Sequence, residues 1–203
     1  MHTFLRAFWL LYPCRTRKHT MCVGLQCYIV NFSHNRVLGK RGSAAIMKNN
    51  GAASVESIIA QDRALTTSES DIRWRIITCP HDRTSVYIVN SRGKTLSILD
   101  THGSTVTLWN GGGDGRSSME TVIETNISKF AANIRWKFIQ CPYKSVYPSQ
   151  VYIVNVGHAK FLDTHGGAVQ VWNNGKNIET VIKENTSKYA SNLRWTLIPV
   201  HCI

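Results

Sequence analysis

A short apolar segment ending in asparagine occurs three times: Tyr28-Ile29-Val30-Asn31, Tyr87-Ile88-Val89-Asn90 and Tyr152-Ile153-Val154-Asn155. Aromatic and β-branched residues in so short a run predict a strand. Each copy opens a unit that closes on an arginine-tryptophan pair: Arg73-Trp74, Arg135-Trp136 and Arg194-Trp195. The period is about 60 residues, and the units span roughly 25–80, 84–142 and 149–200. In the third unit, residues 160–163 read as a second strand ended by Thr164-His165-Gly166. Residues 169–172 alternate and stop at Asn173-Asn174-Gly175, and residues 194–198 alternate again until Pro199. Each unit therefore predicts four short strands. The stretch between the third and fourth strands of each unit, such as residues 179–191, shows no strand period, which leaves one helical turn or a long loop there.

The second and third units keep register between their ends. Leu99-Asp100-Thr101-His102-Gly103 matches Leu162-Asp163-Thr164-His165-Gly166, and Glu120-Thr121-Val122-Ile123 matches Glu179-Thr180-Val181-Ile182. The first unit is the divergent copy. A single unit cannot bury its own apolar face, three units without caps make no solenoid, and propellers use at least about four blades. Three copies closing around an axis do bury it, as a barrel with a triangular cap. The expected fold is all-β, a β-trefoil of three repeats with pseudo-threefold symmetry.

The first twenty residues stand apart. Residues 7–12 form an apolar stretch shorter than a usual signal core, with Arg15, Arg17 and Lys18 behind it and no small-x-small cleavage pattern. They are read as an unstructured leader or gene-model extension before a domain at 21–203. A cytoplasmic location is expected, with secretion as the alternative. No apolar run approaches the ~18 residues a membrane span needs.

The 203 residues carry 24 Lys and Arg against 12 Asp and Glu, a formal net charge of +12. Arg6, Arg15, Arg17 and Lys18 precede Met21, and the other cations are scattered without a run. This reads as a solvated basic surface, and no specific nucleic-acid site is expected. None of the six cysteines forms a C-x-x-C pair, so zinc and thioredoxin chemistry find no support. No metal and no cofactor are expected. Cys79 and Cys141 occupy equivalent positions and are expected as buried free thiols. Three Asn-x-Ser patterns, at Asn31, Asn126 and Asn185, match the glycosylation acceptor, and Asn31 lies in a strand motif that makes its match accidental.

The Tyr-x-Val-Asn strand, the Asp after the second strand, the aromatic that follows and the closing Arg-Trp together resemble the ricin B-type lectins. The resemblance covers about residues 25–200. It implies a β-trefoil carbohydrate-binding module, with glycans or glycoconjugates as partners and a preference for galactose or N-acetylgalactosamine. This chain departs from the family's closing Gln-x-Trp, with Ile72, Ile134 or Leu193 in place of the Gln. The loop between Asp163 and Trp172 is also shorter than the family's.

Sugar recognition needs a carboxylate or amide that accepts from adjacent hydroxyls, an aromatic face for the ring, and further amides. Carried over from the family motif, Asp163 would hold two hydroxyls, Trp172 would stack, and Gln170 and Asn192 would complete the third unit's site. Asp100, Trp109 and Asn133 repeat this in the second unit, with Thr107 for Gln170. The first unit has Gly39 and Lys48 at the Asp and Trp positions, and Asp71 at the Asn position. It is expected to bind no sugar. Other readings stand beside these. Asp100 and Asp163 also suit turns, Trp109 and Trp172 also suit inter-repeat packing, and His102 and His165 suit either the pocket or a solvent-facing turn. Trp74, Trp136 and Trp195 are expected in the core, and Tyr28, Tyr87 and Tyr152 in the core or on the barrel wall.

Other functions are weighed against the lectin. A trefoil that binds proteins through residues 111–118 or 143–150, as trefoil protease inhibitors do, is the alternative, and a polyanion binder is a third reading. No ordered triad, carboxylate pair or phosphate loop stands out, so an enzyme is not expected.

Overall fold

The computed structural model describes residues 25–49, 53–65, 70–90, 92, 97–109, 121–123, 129–142, 150–165, 168–185 and 192–200. The leader at 1–20, Asn126 and most of the two long loops at 111–118 and 143–150 lie outside them. The first unit holds β1 (Leu25–Asn31), β2 (Arg36–Arg41), β3 (Ala44–Lys48), α1 (Val55–Arg63) and β4 (Trp74–Thr78). The second holds β5 (Val86–Asn90), β6 (Ser97–His102), β7 (Thr105–Trp109) and β8 (Trp136–Gln140). The third holds β9 (Gln150–Asn155), β10 (Lys160–Asp163), β11 (Gln170–Trp172), α2 (Ile178–Glu184) and β12 (Arg194–Pro199). The four strands per unit are those expected. The stretch 179–191 begins with α2, whose N-cap Asn177 accepts from the Thr180 amide at 2.8 Å. Helix α1 fills the same stretch of the first unit and runs for more than the single turn expected there. Ser54 caps it, and Asn35 Oδ1 also accepts from the Val55 amide at 2.9 Å.

Antiparallel pairing closes a ring: β1 with β4, β4 with β5, β5 with β8, β8 with β9, β9 with β12, and β12 with β1. The ring uses the first and last strand of every unit. The middle strands form hairpins β2–β3, β6–β7 and β10–β11, whose tips meet through Ala44 with Thr107 and Gln170 with Thr105. A closed barrel leaves no ring strand with an unpaired edge. An open depression of about 520 Å³ lies at these tips, against Ala45, Met47, Val106 and Val169; of the second unit's candidate set it touches Thr107 but neither Asp100, Trp109 nor Asn133.

The apolar Tyr-Ile-Val runs follow from burial on both faces. Side chains alternate across a strand. Ile29, Ile88 and Ile153 therefore enter the central core, with Trp74, Trp136 and Trp195. Tyr28 and Val30 enter an outer cluster under α1, Tyr87 and Val89 a second with Val122 and Ile123, and Tyr152 and Val154 a third with Val181 of α2. All three tryptophans and all three tyrosines are fully buried. The thiols of Cys79 and Cys141 are free and buried, close to the Tyr87 and Tyr152 hydroxyls.

Two sets of hydrogen bonds join this core to the surface loops. Trp74, Trp136 and Trp195 donate their indole N–H to the carbonyls of Leu38, Leu99 and Leu162, at 2.9, 2.9 and 3.0 Å. Each acceptor immediately precedes position 39, 100 or 163. The strand-end asparagines then bind each unit to the one before it. Asn90 donates to the Ser70, Asp71 and Arg73 carbonyls, and Asn155 to those of Asn133 and Arg135. Asn31 does the same to Asn192 and Arg194, joining the first unit to the third.

Candidate functional site

The β10–β11 hairpin builds the third unit's candidate site. Asp163 pairs with Gln170 and Phe161 with Trp172 across the strands, so these four side chains share one face. Gln170 Nε2 donates to Asp163 Oδ2 at 2.8 Å. Asp163 is 3% exposed, and its buried Oδ1 has no hydrogen-bond partner among the described residues. Trp172, 38% exposed, lies on the same hairpin face as that carboxylate. Asn192 arrives from the segment before β12 and is held between two imidazoles. Its Oδ1 is 3.0 Å from His34 Nε2, and its Nδ2 is 3.4 Å from His165 Nδ1. Asp163, Gln170 and Trp172 thus lie on one hairpin face, and Asn192 meets that hairpin's continuation at His165.

The second unit repeats the register: Asp100 pairs with Thr107, and Ile98 with Trp109. Asp100 is 4% exposed. Its Oδ1 accepts from the Thr101 amide at 2.7 Å, so this carboxylate does serve its own backbone, and its Oδ2 lies 3.2 Å from His102 Nδ1. Burial raises the Asp100 carboxyl above its ordinary range, against the opposing pull of the Thr101 amide, His102 and His158. Thr101 Oγ1 donates to the Asn133 carbonyl at 3.4 Å, which sets the Asn133 loop beside Asp100. Trp109 differs from Trp172. It is half-buried and packs against the outer cluster of Tyr87, Ile98 and Ile123. His102 is largely exposed, as a turn histidine would be.

In the first unit, Gly39 pairs with Ile46, and Val37 with Lys48. Lys48 Nζ meets Asp71 Oδ2 at 3.0 Å, and Arg92 of the second unit binds the same oxygen. Burial pushes the Asp71 carboxyl up, but hydrogen bonds and charge from Arg92 and Lys48 outweigh it and hold it below the ordinary range. The acidic side chain here is committed to the protein's own cations. Among the described residues, no group of three or more His, Cys, Asp or Glu could hold a metal.

The within-unit reading missed His34 and His158, because each belongs to the unit after the site it approaches. A sequence signal existed: both follow a strand-end asparagine by three residues, as Asn31-x-x-His34 and Asn155-x-x-His158.

No protein-family model and no curated protein matches the sequence. Solved structures do match. The BEL β-trefoil aligns with a TM-score of 0.51 at 12% identity, over 90% of this chain and 97% of its own. The fold is a β-trefoil. SeviL, solved bound to asialo-GM1 saccharide, matches with a TM-score of 0.50 at 13% identity, over 88% of this chain and 99% of its own. A GH54 α-L-arabinofuranosidase matches at 0.56 and 7% identity over 91% of this chain. This trefoil chain spans only 33% of that enzyme's length. At such identities the likeness is one of fold, and it transfers no catalytic residue.

Proposed function

We propose that the protein is a non-enzymatic carbohydrate-binding trefoil of the ricin B type, with its sites on the second and third units. The supporting observation is the third hairpin: a buried Asp163 with one unpartnered oxygen, steadied by Gln170, shares a face with the exposed Trp172 ring. A pyranose hydroxyl satisfies that oxygen while the apolar side of the ring covers the indole. Asp100 and Asn133 offer a second site with a smaller aromatic face, since Trp109 leans into the core. The galactose or N-acetylgalactosamine preference rests on the family resemblance. The protein-binding alternative relies on residues 111–118 or 143–150, nearly all outside the described residues.

Each site is weak alone, and useful affinity comes from two sites engaging one multivalent glycan. The test is a glycan array with the full chain, followed by calorimetry on Asp100→Ala, Asp163→Ala and the double variant. Stoichiometry is expected to fall from two to one in either single variant and to zero in the double. Binding unchanged in the double variant refutes the assignment.

A further inference from the structure

Both candidate sites lie on seams between units. Asn155 clasps the loop of the second unit through its Nδ2, and its Oδ1 accepts from the His158 amide at 3.0 Å. The same asparagine that joins the units therefore carries His158 to the second unit's site. Gly157 is the reason it fits: a Cβ there would stand 2.6 Å from Asn133 Oδ1. Asn31 sets His34 beside the third unit in the same way, at 3.2 Å. In the first unit the seam position is filled by Arg92, whose amide is held by Asn90 Oδ1 at 3.0 Å and whose guanidinium pairs with Asp71.

The two histidines do different work. His34 Nε2 contacts Asn192 Oδ1, an acceptor, so that nitrogen carries its hydrogen; the Asn192 amide in turn faces a bare His165 Nδ1. His34 is thus a positioning residue that fixes the carboxamide. His158 has no such neighbour. Its Nε2 is buried and lacks a hydrogen-bond partner, and the adjacent Gly157 donates its amide to the Ala132 carbonyl of the second unit at 3.0 Å. A buried polar atom left unpaired is costly unless a ligand or water satisfies it.

We infer that the second unit's sugar site is composite, and that His158, supplied by the third unit, contacts the bound sugar through a hydrogen bond between Nε2 and a ring hydroxyl. This rests on the carbohydrate reading above. The ligand class is a neutral polyhydroxyl whose hydroxyls span Asp100 and His158.

The test is a titration of the full-length protein with lactose and with N-acetylgalactosamine, followed through histidine ring and tryptophan indole signals in ¹H–¹⁵N spectra. Sugar is expected to shift the His158 ring and, from the third site, the Trp172 indole. His158→Ala is expected to weaken the second site about tenfold, the loss of one hydrogen bond, with the third site unchanged. His158→Gln, which keeps a donor at similar reach, restores much of the affinity and guards against a folding defect. If Trp172 and the Thr101 amide shift while His158 stays still and His158→Ala binds normally, the composite site is wrong and the lectin reading stands. If neither sugar shifts any signal, both readings fall.

Discussion

Replacing Trp195 separates its two roles. Its ring is fully buried in the barrel, and its indole N–H donates to the Leu162 carbonyl at 3.0 Å, one residue before Asp163. Trp195→Ala removes the ring and leaves a cavity, at a cost of about 3–5 kcal/mol. The orphaned Leu162 carbonyl adds about 1–3 kcal/mol. A domain of this size holds only about 5–15 kcal/mol in all, so the alanine variant stands near the edge of folding. Trp195→Phe is the sharper perturbation, because it keeps most of the apolar contact and removes the donor. It is expected to cost about 2–3 kcal/mol in urea unfolding, most of it from the unpaired carbonyl. Trp172→Ala on the open hairpin face is expected to cost under about 1 kcal/mol, as exposed substitutions usually do. The Phe variant should also weaken the third site while sparing the second, since only Leu162 is released. Equal losses for Trp195→Phe and Trp172→Ala would refute the division between core and platform.

Two further outcomes are expected. Asp62→Ala should cost about 3–5 kcal/mol in urea unfolding, because it removes the carboxylate from the buried Arg73, whose Nε donates to Asp62 Oδ2 at 2.6 Å beside the Tyr28 hydroxyl and Ser70; a loss under about 1 kcal/mol would show that this group is not a buried pair. Asp100→Asn should raise the melting temperature at neutral pH and lose that advantage in acid. The Asp100 carboxyl is raised in the fold, so its contribution is favourable below the unfolded value and is lost as pH rises through the raised one. A melting-temperature difference that stays constant with pH would contradict this.

Much of the architecture was legible because it is written three times. The recurring Arg-Trp identified the core tryptophans, and the recurring Tyr-Ile-Val identified the opening strand of each unit. The local pattern could not separate Trp109 from Trp172. Both end an equivalent third strand, and the difference arises from the outer cluster around Tyr87 and Ile123. The length of helix α1 was not legible because it sits in the divergent first unit, where no second copy marks the register. The Asp62–Arg73 pair and the His158 seam were missed for a shared reason: these contacts depend on how segments meet in space. Reading each unit alone hides its neighbour.

The three asparagine clasps are alike in geometry but unlike in the chain they close. Asn90 and Asn155 reach back 17 to 22 residues, whereas Asn31 reaches across 161 and 163. Loop-closure entropy rises by about 0.6 kcal/mol per doubling of length, so the Asn31 joint costs about 2 kcal/mol more to close than the others. It is also the joint whose partners lie farthest apart along the chain. Asn192 and His34 lie on that joint, and His158 does not. The third unit's site therefore depends on the closure that spans the longest stretch of chain, while the second unit's site is completed across about twenty residues.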